Sequence, residues 1–336
     1  MNLLAVYKNE RLPSSRIRIV QMLPHLDALG LVCEAVPYPE DPLSLCSLLR
    51  RAADFDLVWL QKVLPGAVES LLWCRLATPI VFDYDDAIMF HIRPRRGAYE
   101  APRRARRFRR IVSLAEGVTC GNAYLGGLLP PGDRPVLVYP SPVPTLVPRH
   151  DYSTASGPLR LGWIGHEDNL QSLAMIAPAL TAVATTHAFD LVVVSGQSVG
   201  VPALRVVHRP WSLEEQYGAP AGFDVGLMPL DGHSPYDRGK CSYKILQYMA
   251  AGIVPVATAV GMNAEVIQDG KNGRLVESMD QWPRVLDEVL SMRREEMAAM
   301  ALAGPAFVKA RFSYEAHAEA LAGFFVQVLA AARRRA

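Results

Sequence analysis

The sequence predicts an α/β protein with two doubly wound domains that face each other across a cleft. Short apolar runs alternate with amphipathic segments along most of the chain, as is typical of parallel sheets covered by helices on both faces. A stretch rich in proline and serine, from Pro140 to Pro158, interrupts this alternation near the middle. The chain has 336 residues, more than one hydrophobic core usually serves, so two domains are expected.

In the first half, apolar runs predict strands, and apolar residues at helical spacing predict helices. The predicted strands cover residues 3–7, 31–36, 55–60, 79–82, 118–120 and 135–139. The predicted helices cover residues 16–29, 43–53, 67–76 and 122–129. We expect a first domain over residues 1–145 and a linker over residues 146–158.

The alternation restarts beyond the linker, which predicts a second domain over residues 159–312. Its predicted strands cover residues 159–164, 189–194, 204–207, 223–228 and 254–258. Its predicted helices cover residues 170–185, 281–290 and 294–311, with one short helix that begins after Ser242. A final helix, over residues 313–334, is expected to pack back toward the first domain.

Composition argues against several other classes of protein. The five cysteines form no CxxC pair and lie near no histidine at zinc spacing, which indicates reduced thiols packed as small hydrophobic residues. No apolar run approaches the roughly 18–20 residues of a membrane-spanning helix, and the apolar start is too short for a signal peptide. We therefore expect a cytoplasmic protein.

The short helix after Ser242 has the features of an anion site. Ser242 is predicted to be its N-cap, and Gly252 marks its end. Lys240 and Lys244 flank the helix start, where the helix dipole disfavours a positive charge. A bound anion would explain both lysines, because a helix N-terminus presents free backbone N–H groups to it. Two solvated surface lysines are the alternative.

Several segments of the chain resemble one enzyme family. These segments are Gly162-Trp163-Ile164-Gly165, Arg238-Gly239-Lys240, residues 244–250 (KILQYMA), Val260-Gly261-Met262-Asn263 with Glu265, and Asp269-Gly270 with Asn272-Gly273. Weaker similarity lies at Ser14-Ser15-Arg16, residues 82–86 (FDYDD) and residues 121–125 (GNAYL). The chain is similar in these segments to glycosyltransferase family 4, whose members are retaining enzymes with the GT-B fold.

The resemblance implies that the second domain binds a nucleotide-diphosphate sugar as donor, without a cofactor and without a metal ion. We expect Lys240 and Lys244, with the helix after Ser242, to bind the diphosphate in place of the family's own cations, and Gln247 to bind the ribose in place of a family glutamate. Further donor contacts are expected from Gly165, His166, Arg238, Asn263 and Glu265. The chain departs from the family in two respects. Gly239 and Gln247 stand where the family has glutamates, and His166-Glu167-Asp168-Asn169 stands where the family has the arginine and lysine that bind the diphosphate.

The first domain is expected to present the acceptor, a glycan, a lipid-linked sugar or a small molecule with a free hydroxyl. Asp85 and Asp86 follow a predicted strand at its carboxyl end, where parallel sheets bind ligands. We interpret them as acceptor contacts or partners of an arginine, with metal binding and helix capping as alternatives. Ser15 and Arg16, after the first strand, are further acceptor-side candidates, although N-capping also explains the serine. Lys240, Lys244, Asp85 and Asp86 are the predicted catalytic residues.

A basic interval runs from Arg93 to Arg110, and half of its residues are arginine. A solvated helix face is one interpretation, and peripheral contact with the anionic inner face of a membrane, or with a phosphorylated acceptor, is another. The primary hypothesis is a retaining glycosyltransferase. The alternatives are a nucleotide-sugar-binding protein without catalysis and an arginine-driven nucleic-acid-binding protein, although we expect no nucleic acid partner.

Overall fold

The computed structural model describes residues 1–10, 12–92 and 100–334. The chain forms two compact units. The first unit contains Met1–Pro142, the short segment Arg238–Cys241 and the chain from Tyr314 onward, and the second contains Val143–Asp237 and Ser242–Ser313. Each unit holds one six-stranded sheet in which all the paired strands are parallel. The predicted α/β class, with two doubly wound sheets, is confirmed.

The first unit has the strand order β2-β1-β3-β4-β5-β6. Its strands are β1 (Asn2–Tyr7), β2 (Val32–Pro37), β3 (Leu57–Gln61), β4 (Ile80–Tyr84), β5 (Gly117–Cys120) and β6 (Val136–Val138). Its first helices are α1 (Leu23–Asp27), α2 (Pro42–Ala52), α3 (Ala67–Trp73), α4 (Pro102–Leu114) and α5 (Ala123–Gly127), with a π-helical turn over Ser15–Val20. The order of the strands reverses between β1 and β3.

The second unit has the strand order β12-β11-β10-β7-β8-β9, which reverses between β7 and β10. Its strands are β7 (Leu159–Ile164), β8 (Phe189–Ser195), β9 (Val206–Pro210), β10 (Val225–Met228), β11 (Val254–Thr258) and β12 (Arg274–Val276). Its helices are α6 (Leu170–Met175), α7 (Ala177–Val183), α8 (Leu213–Gly218), α9 (Pro235–Arg238), α10 (Tyr243–Ala250), α11 (Met262–Val266), α12 (Trp282–Leu290), α13 (Arg294–Ala301) and α14 (Gly304–Phe312). The second unit also has 3-10 turns over Glu167–Asn169, Ala219–Gly222 and Met279–Gln281.

Proline explains why three predicted helices are each split in two. Pro24, Pro178 and Pro305 stand in the first turns of α1, α7 and α14, inside segments predicted as continuous helices. Proline has no backbone N–H and fits the first turn of a helix, where no partner is needed, better than its interior. The chain therefore stops and restarts the helix at each of these positions.

The last helix, α15 (Tyr314–Arg333), belongs to the core of the first unit. The ring of its Phe325 meets Trp59 of β3 edge-on, with the centroids 5.3 Å apart. A Cβ atom on Gly117 of β5 would lie 2.5 Å from Val328, so this close approach requires glycine. None of the helices in the described part of the chain is both long and apolar enough to cross a membrane.

Candidate functional site

The second unit places Gly165 and His166 where its strand order reverses. Gly165 follows β7 directly, and β7 is hydrogen-bonded to both β8 and β10. Open parallel sheets bind ligands at the carboxyl ends of the strands that flank such a switch point. The side chain of His166 is about half exposed, and its Nδ1 accepts a hydrogen bond from the backbone N–H of Asp168, 3.2 Å away. His166 thus caps the 3-10 turn Glu167–Asn169.

Lys244, in the first turn of α10, lies against Gly165. A Cβ atom on Gly165 would stand 3.0 Å from Cε and 3.1 Å from Nζ of Lys244. The same ammonium lies 5.2 Å from the centroid of the Trp163 ring, within the range of a cation–π contact. Glycine at position 165 therefore lets a lysine ammonium approach the backbone at the carboxyl end of β7.

The predicted side-chain cap by Ser242 is absent. Ser242 has left-handed backbone angles (φ 51°, ψ 24°), and its hydroxyl donates to Oδ1 of Asn263 over 2.7 Å instead of accepting from the first turn of α10. Serine side chains cap from an extended backbone, which this residue does not have. The N-terminus of α10 thus begins without the side-chain acceptor that the sequence predicts.

Asn263 braces the loop after β11. The buried side chain donates through Nδ2 to the carbonyl oxygen of Thr258, 3.0 Å away, while Oδ1 accepts from Ser242. One amide therefore ties the end of β11 to the start of α10. Glu265, two residues further along α11, is exposed.

Gln247 uses one end of its amide within the protein. The side chain is buried in α10, and its Nε2 donates to the carbonyl oxygen of Gln216 over 2.9 Å. Amide nitrogen and oxygen have different partners, so this bond fixes which end of the side chain faces α8. A carboxylate, which only accepts, could not make this bond to a carbonyl oxygen.

The segment Arg238–Cys241 packs in the first unit. Nδ2 of Asn122 donates to the carbonyl oxygens of Gly239 and Lys240, both 3.1 Å away, while its Oδ1 caps α5 at the N–H of Leu125. Arg238 is exposed, and Lys240 is partly buried. Lys240 and Lys244, predicted to act together, thus belong to different compact units.

Gly239 stands in a space that is closed to a side chain. A Cβ atom there would lie 2.8 Å from Cβ of Ala87, 2.9 Å from Cδ2 of Leu125 and 3.0 Å from the backbone nitrogen of Ala87. Real Cβ atoms do not approach other atoms so closely. The missing family glutamate at this position therefore reflects tight packing, and this backbone could not accommodate it.

A second polar cluster lies at the switch point of the first unit, around Lys62. Lys62 follows β3 directly, is buried, and has a left-handed backbone (φ 56°). Its Nζ lies 2.6 Å from Oδ1 of Asp85, pairs with Asp86 and donates to the hydroxyl of Ser14 over 3.2 Å. The two predicted acceptor-side carboxylates are thus brought together, by a lysine that the sequence analysis did not select.

The charge of Asp85 depends on this lysine. Burial raises the pKa of the Asp85 carboxyl, the Lys62 ammonium opposes that rise, and the carboxylate of Asp86 adds to it. A buried acid between a cation and a second acid is a common arrangement at functional sites. A polar Gln-Lys pair at the end of an apolar strand was the available sequence signal for Lys62.

Ser15 and Arg16 begin the π-helical turn after β1. The hydroxyl of Ser15 donates to Oε1 of Gln61 over 3.0 Å, and the turn has no side-chain cap, so the alternative explanation by N-capping does not hold. Arg16 is partly buried in the same turn. The serines therefore join this turn to the end of β3.

A buried arginine of the first unit, Arg18, pairs with Asp83, the residue two positions before Asp85. Arg18 donates to both oxygens of Asp83, over 2.9 and 2.5 Å, and both side chains are completely buried. Thr119 donates to the same carboxylate over 2.6 Å. The bidentate pair satisfies the buried charges, as its burial requires.

Among the described residues, no group of three or more His, Cys, Asp or Glu side chains is placed to hold a metal ion.

Comparison of the sequence with family models gives one match. Residues 159–292 match the model described as "Glycosyl transferases group 1". This match confirms the prediction of a glycosyltransferase, while the narrower placement in family 4 and the retention of configuration stay predictions. A search of curated protein sequences found no significant match.

Solved structures share the fold at low sequence identity. Sucrose-phosphate synthase from Thermosynechococcus elongatus superposes with a TM-score of 0.73 at 13% identity, covering 98% of this chain and 100% of that one. HepE from Anabaena, in complex with UDP-glucose, superposes with a TM-score of 0.71 at 13% identity, covering 97% of this chain and 100% of that one. A glycosyltransferase from Rickettsia africae superposes with a TM-score of 0.65 at 10% identity, covering 98% of both chains. These likenesses confirm the predicted GT-B fold.

Proposed function

We propose that this glycosyltransferase moves a sugar from a nucleotide-diphosphate donor to a hydroxyl acceptor, with retention of the anomeric configuration. The observation that carries the proposal is the placement of the Lys244 ammonium against Gly165, at the switch point of the second sheet. A cation and the start of an eight-residue helix meet there. Both favour a phosphate group.

The donor diphosphate would bind at Lys244 and the first turn of α10, with Gly165 and His166 as neighbours at the end of β7. HepE, which shares the fold, was solved with UDP-glucose, and this supports a nucleotide sugar as the ligand. Gln247 remains the proposed contact of the ribose, through the end of its amide that does not face Gln216. Asn263 would act by holding Ser242 in place, and the exposed Glu265 remains a proposed donor contact.

The reaction requires above all that the departing diphosphate be stabilised, because negative charge builds there as the bond between the sugar and the diphosphate breaks. We propose that Lys244, Lys240 and Arg238 carry this charge together with the dipole of α10, without a metal ion. Lys240 precedes Ser242 by two residues, and its backbone is fixed by Asn122.

The acceptor would bind to the first unit at the cluster around Lys62. Asp85 and Asp86 are the proposed contacts of the acceptor hydroxyl, and Arg16 and Ser15 border them in the turn after β1. Lys62 holds both carboxylates and so determines their orientation. The acceptor class, a glycan, a lipid-linked sugar or a small molecule, is left open by this geometry.

We also propose that the protein is cytoplasmic and that the basic interval from Arg93 to Arg110 contacts the anionic inner face of a membrane. Residues 93–99 lie outside the described residues. The rest of the interval enters α4, whose arginines at positions 103, 106, 107 and 109 are exposed.

One observation favours a second function, that of a nucleotide-sugar-binding protein without catalysis. The closed space at Gly239 leaves no room for the glutamate that contacts the donor sugar in the resembled family. A transfer assay separates the two functions: nucleotide-sugar donors are offered with a broad panel of hydroxyl acceptors, and release of the nucleotide diphosphate is measured.

The wild-type protein is expected to release nucleotide diphosphate in an acceptor-dependent way, and Lys244→Ala and Lys240→Ala to lose most of that release. Lys271→Ala is the control, because Lys271 is an exposed lysine of the second unit in a turn ahead of β12. Donor binding without turnover on any acceptor would favour the second function. Full turnover in both lysine variants would contradict the proposed diphosphate site.

A further inference from the structure

The outward side of α3 is apolar. The exposed positions in and just after this helix are Ala67, Val68, Leu71, Cys74 and Arg75, spaced three or four residues apart, so they form one stripe. Val68 is 69% exposed and Leu71 is 62% exposed. A surface helix normally turns polar residues outward, and this one turns its polar Glu69 toward its own first turn.

The neighbouring helix α4 has a basic outward side. Phe108, Ile111 and Val112 are buried, and Phe108 packs edge-on against the ring of Tyr84 with the centroids 5.1 Å apart. The opposite side carries exposed Arg103, Arg106, Arg107 and Arg109, and α4 contains no acidic residue. The helix therefore presents a purely positive face.

These two surfaces adjoin each other. Helix α3 packs against α4, and a Cβ atom built on Gly66, the residue before α3, would lie 3.9 Å from a guanidinium nitrogen of Arg107. The single acidic side chain of α3, Glu69, accepts a hydrogen bond from the backbone N–H of Gly66. Its charge is thus directed at the helix start and away from the stripe.

We propose that α3 and α4 together form a docking face for an anionic lipid bilayer, in which Val68 and Leu71 enter the interfacial layer and the α4 arginines bind lipid phosphates. The proposed partner follows from charge complementarity. A surface that is apolar on one helix and positive on the next matches the interfacial layer of an anionic bilayer. Nucleic acid would use the arginines but gain nothing from the aliphatic stripe, and the face carries no exposed aromatic side chain for base stacking.

This inference rests on the proposed membrane contact of the basic interval and adds an apolar half to it. It is independent of sugar transfer. The test is binding of the full chain to vesicles of phosphatidylcholine, with and without phosphatidylglycerol. The variants are Val68→Ser with Leu71→Ser, and Arg106→Gln with Arg107→Gln and Arg109→Gln. The matched controls in the second unit are Leu302→Ser, and Arg205→Gln with Arg284→Gln and Arg293→Gln, all at exposed positions.

The wild type is expected to bind only the vesicles that contain phosphatidylglycerol. Each arginine removed should weaken binding about fivefold, hence on the order of 100-fold for the triple variant. Val68→Ser and Leu71→Ser should each weaken binding by up to about tenfold. The two controls should bind like the wild type.

Three results would overturn the inference. If the arginine variant lost binding and the α3 variant bound like the wild type, the contact would be purely electrostatic and α3 would have no docking role. Absence of vesicle binding by the wild type would remove the membrane contact as well. Binding of nucleic acid that competes with vesicles and ignores the α3 changes would assign the arginines to nucleic acid. In all three cases the donor site of the second unit is tested separately, by turnover and donor binding.

Discussion

Lys62 shows how one residue can organise a site that its neighbours in sequence do not reveal. Its left-handed backbone is rare for a residue with a long side chain and costs of order 1–3 kcal/mol. The conformation turns Nζ toward Asp85, Asp86 and Ser14, which come from two other parts of the chain. This strained backbone at a switch point, beside two carboxylates, supports the proposed acceptor site of the first unit.

The raised pKa of Asp85 predicts a specific pH dependence of stability. Because its pKa is raised, Asp85 holds its proton more tightly in the folded protein than in the unfolded chain, where an aspartate has a pKa of about 3.9. The free energy of unfolding therefore falls as pH rises through the raised pKa of Asp85. In Asp85→Asn this loss is absent. The unfolding free energy of the variant, relative to wild type, should therefore rise as pH increases from about 4 to 7.

Asp280→Asn is a control in which the pH dependence of the unfolding free energy is expected to have the opposite sign. The Ser278 hydroxyl lowers the pKa of the exposed Asp280 carboxyl, so its stabilising contribution is lost as the pH falls. This variant should lose stability relative to wild type as pH rises out of the acid range. Denaturant unfolding across this range measures both differences, and parallel curves for Asp85→Asn and wild type would contradict a raised pKa.

Gly239 gives a second prediction at the level of a single residue. Gly239→Ala forces a Cβ atom against Ala87 and Leu125 and should cost about 1–3 kcal/mol of unfolding free energy, as overpacking does. Gly239→Glu should be less stable still and should not increase turnover. Gly323→Ala is the control, because a Cβ atom there meets nothing within 4 Å in the middle of α15, and alanine should stabilise the helix by up to about 1 kcal/mol. Urea titrations in which Gly239→Ala matched the wild type would show that the space is not closed.

At the level of elements, α15 illustrates the part of the fold that depends on distant packing. Its buried residues pack with strands near the other end of the chain, so the helix completes the core of the first unit although the second unit lies between them in sequence. The apolar spacing of residues 314–334 predicts the helix, because local periodicity is enough for that. The glycine at position 117, which lets the helix approach β5, has no local signal and is explained only by the contact.

Phe325 should be the residue of α15 whose loss costs most. Phe325→Ala removes a fully buried ring that packs on Trp59, and the cost should be about 3–5 kcal/mol. Val326→Ala, one position along the same helix, alters a side chain that is 58% exposed and should change the free energy of unfolding by less than about 0.5 kcal/mol. Equal effects of the two substitutions in chemical denaturation would mean that α15 is not anchored through this face.

For the whole molecule, the sequence predicts the two sheets well, because buried parallel strands are apolar runs and the helices between them are amphipathic. The sequence also predicts which lysines lie near the start of α10. It does not predict that Ser242 is left-handed, that Lys62 holds Asp85 and Asp86, or that Arg238–Cys241 packs in the first unit. Each of these depends on side chains that meet only after the chain has folded. The Gln61-Lys62 pair at the end of β3 indicates a polar position but not its partners.

Donor binding at Lys244 in the second unit can be measured by a thermal-shift screen against UDP-, GDP- and dTDP-sugars. At about 100 times its dissociation constant, the correct donor should stabilise the wild type by about 2.7 kcal/mol. Lys244→Ala should lose most of that stabilisation, and Lys271→Ala should keep it. A nucleotide sugar that stabilises wild type and Lys244→Ala equally, or a full screen without any stabilising donor, would rule out the proposed donor site at Lys244.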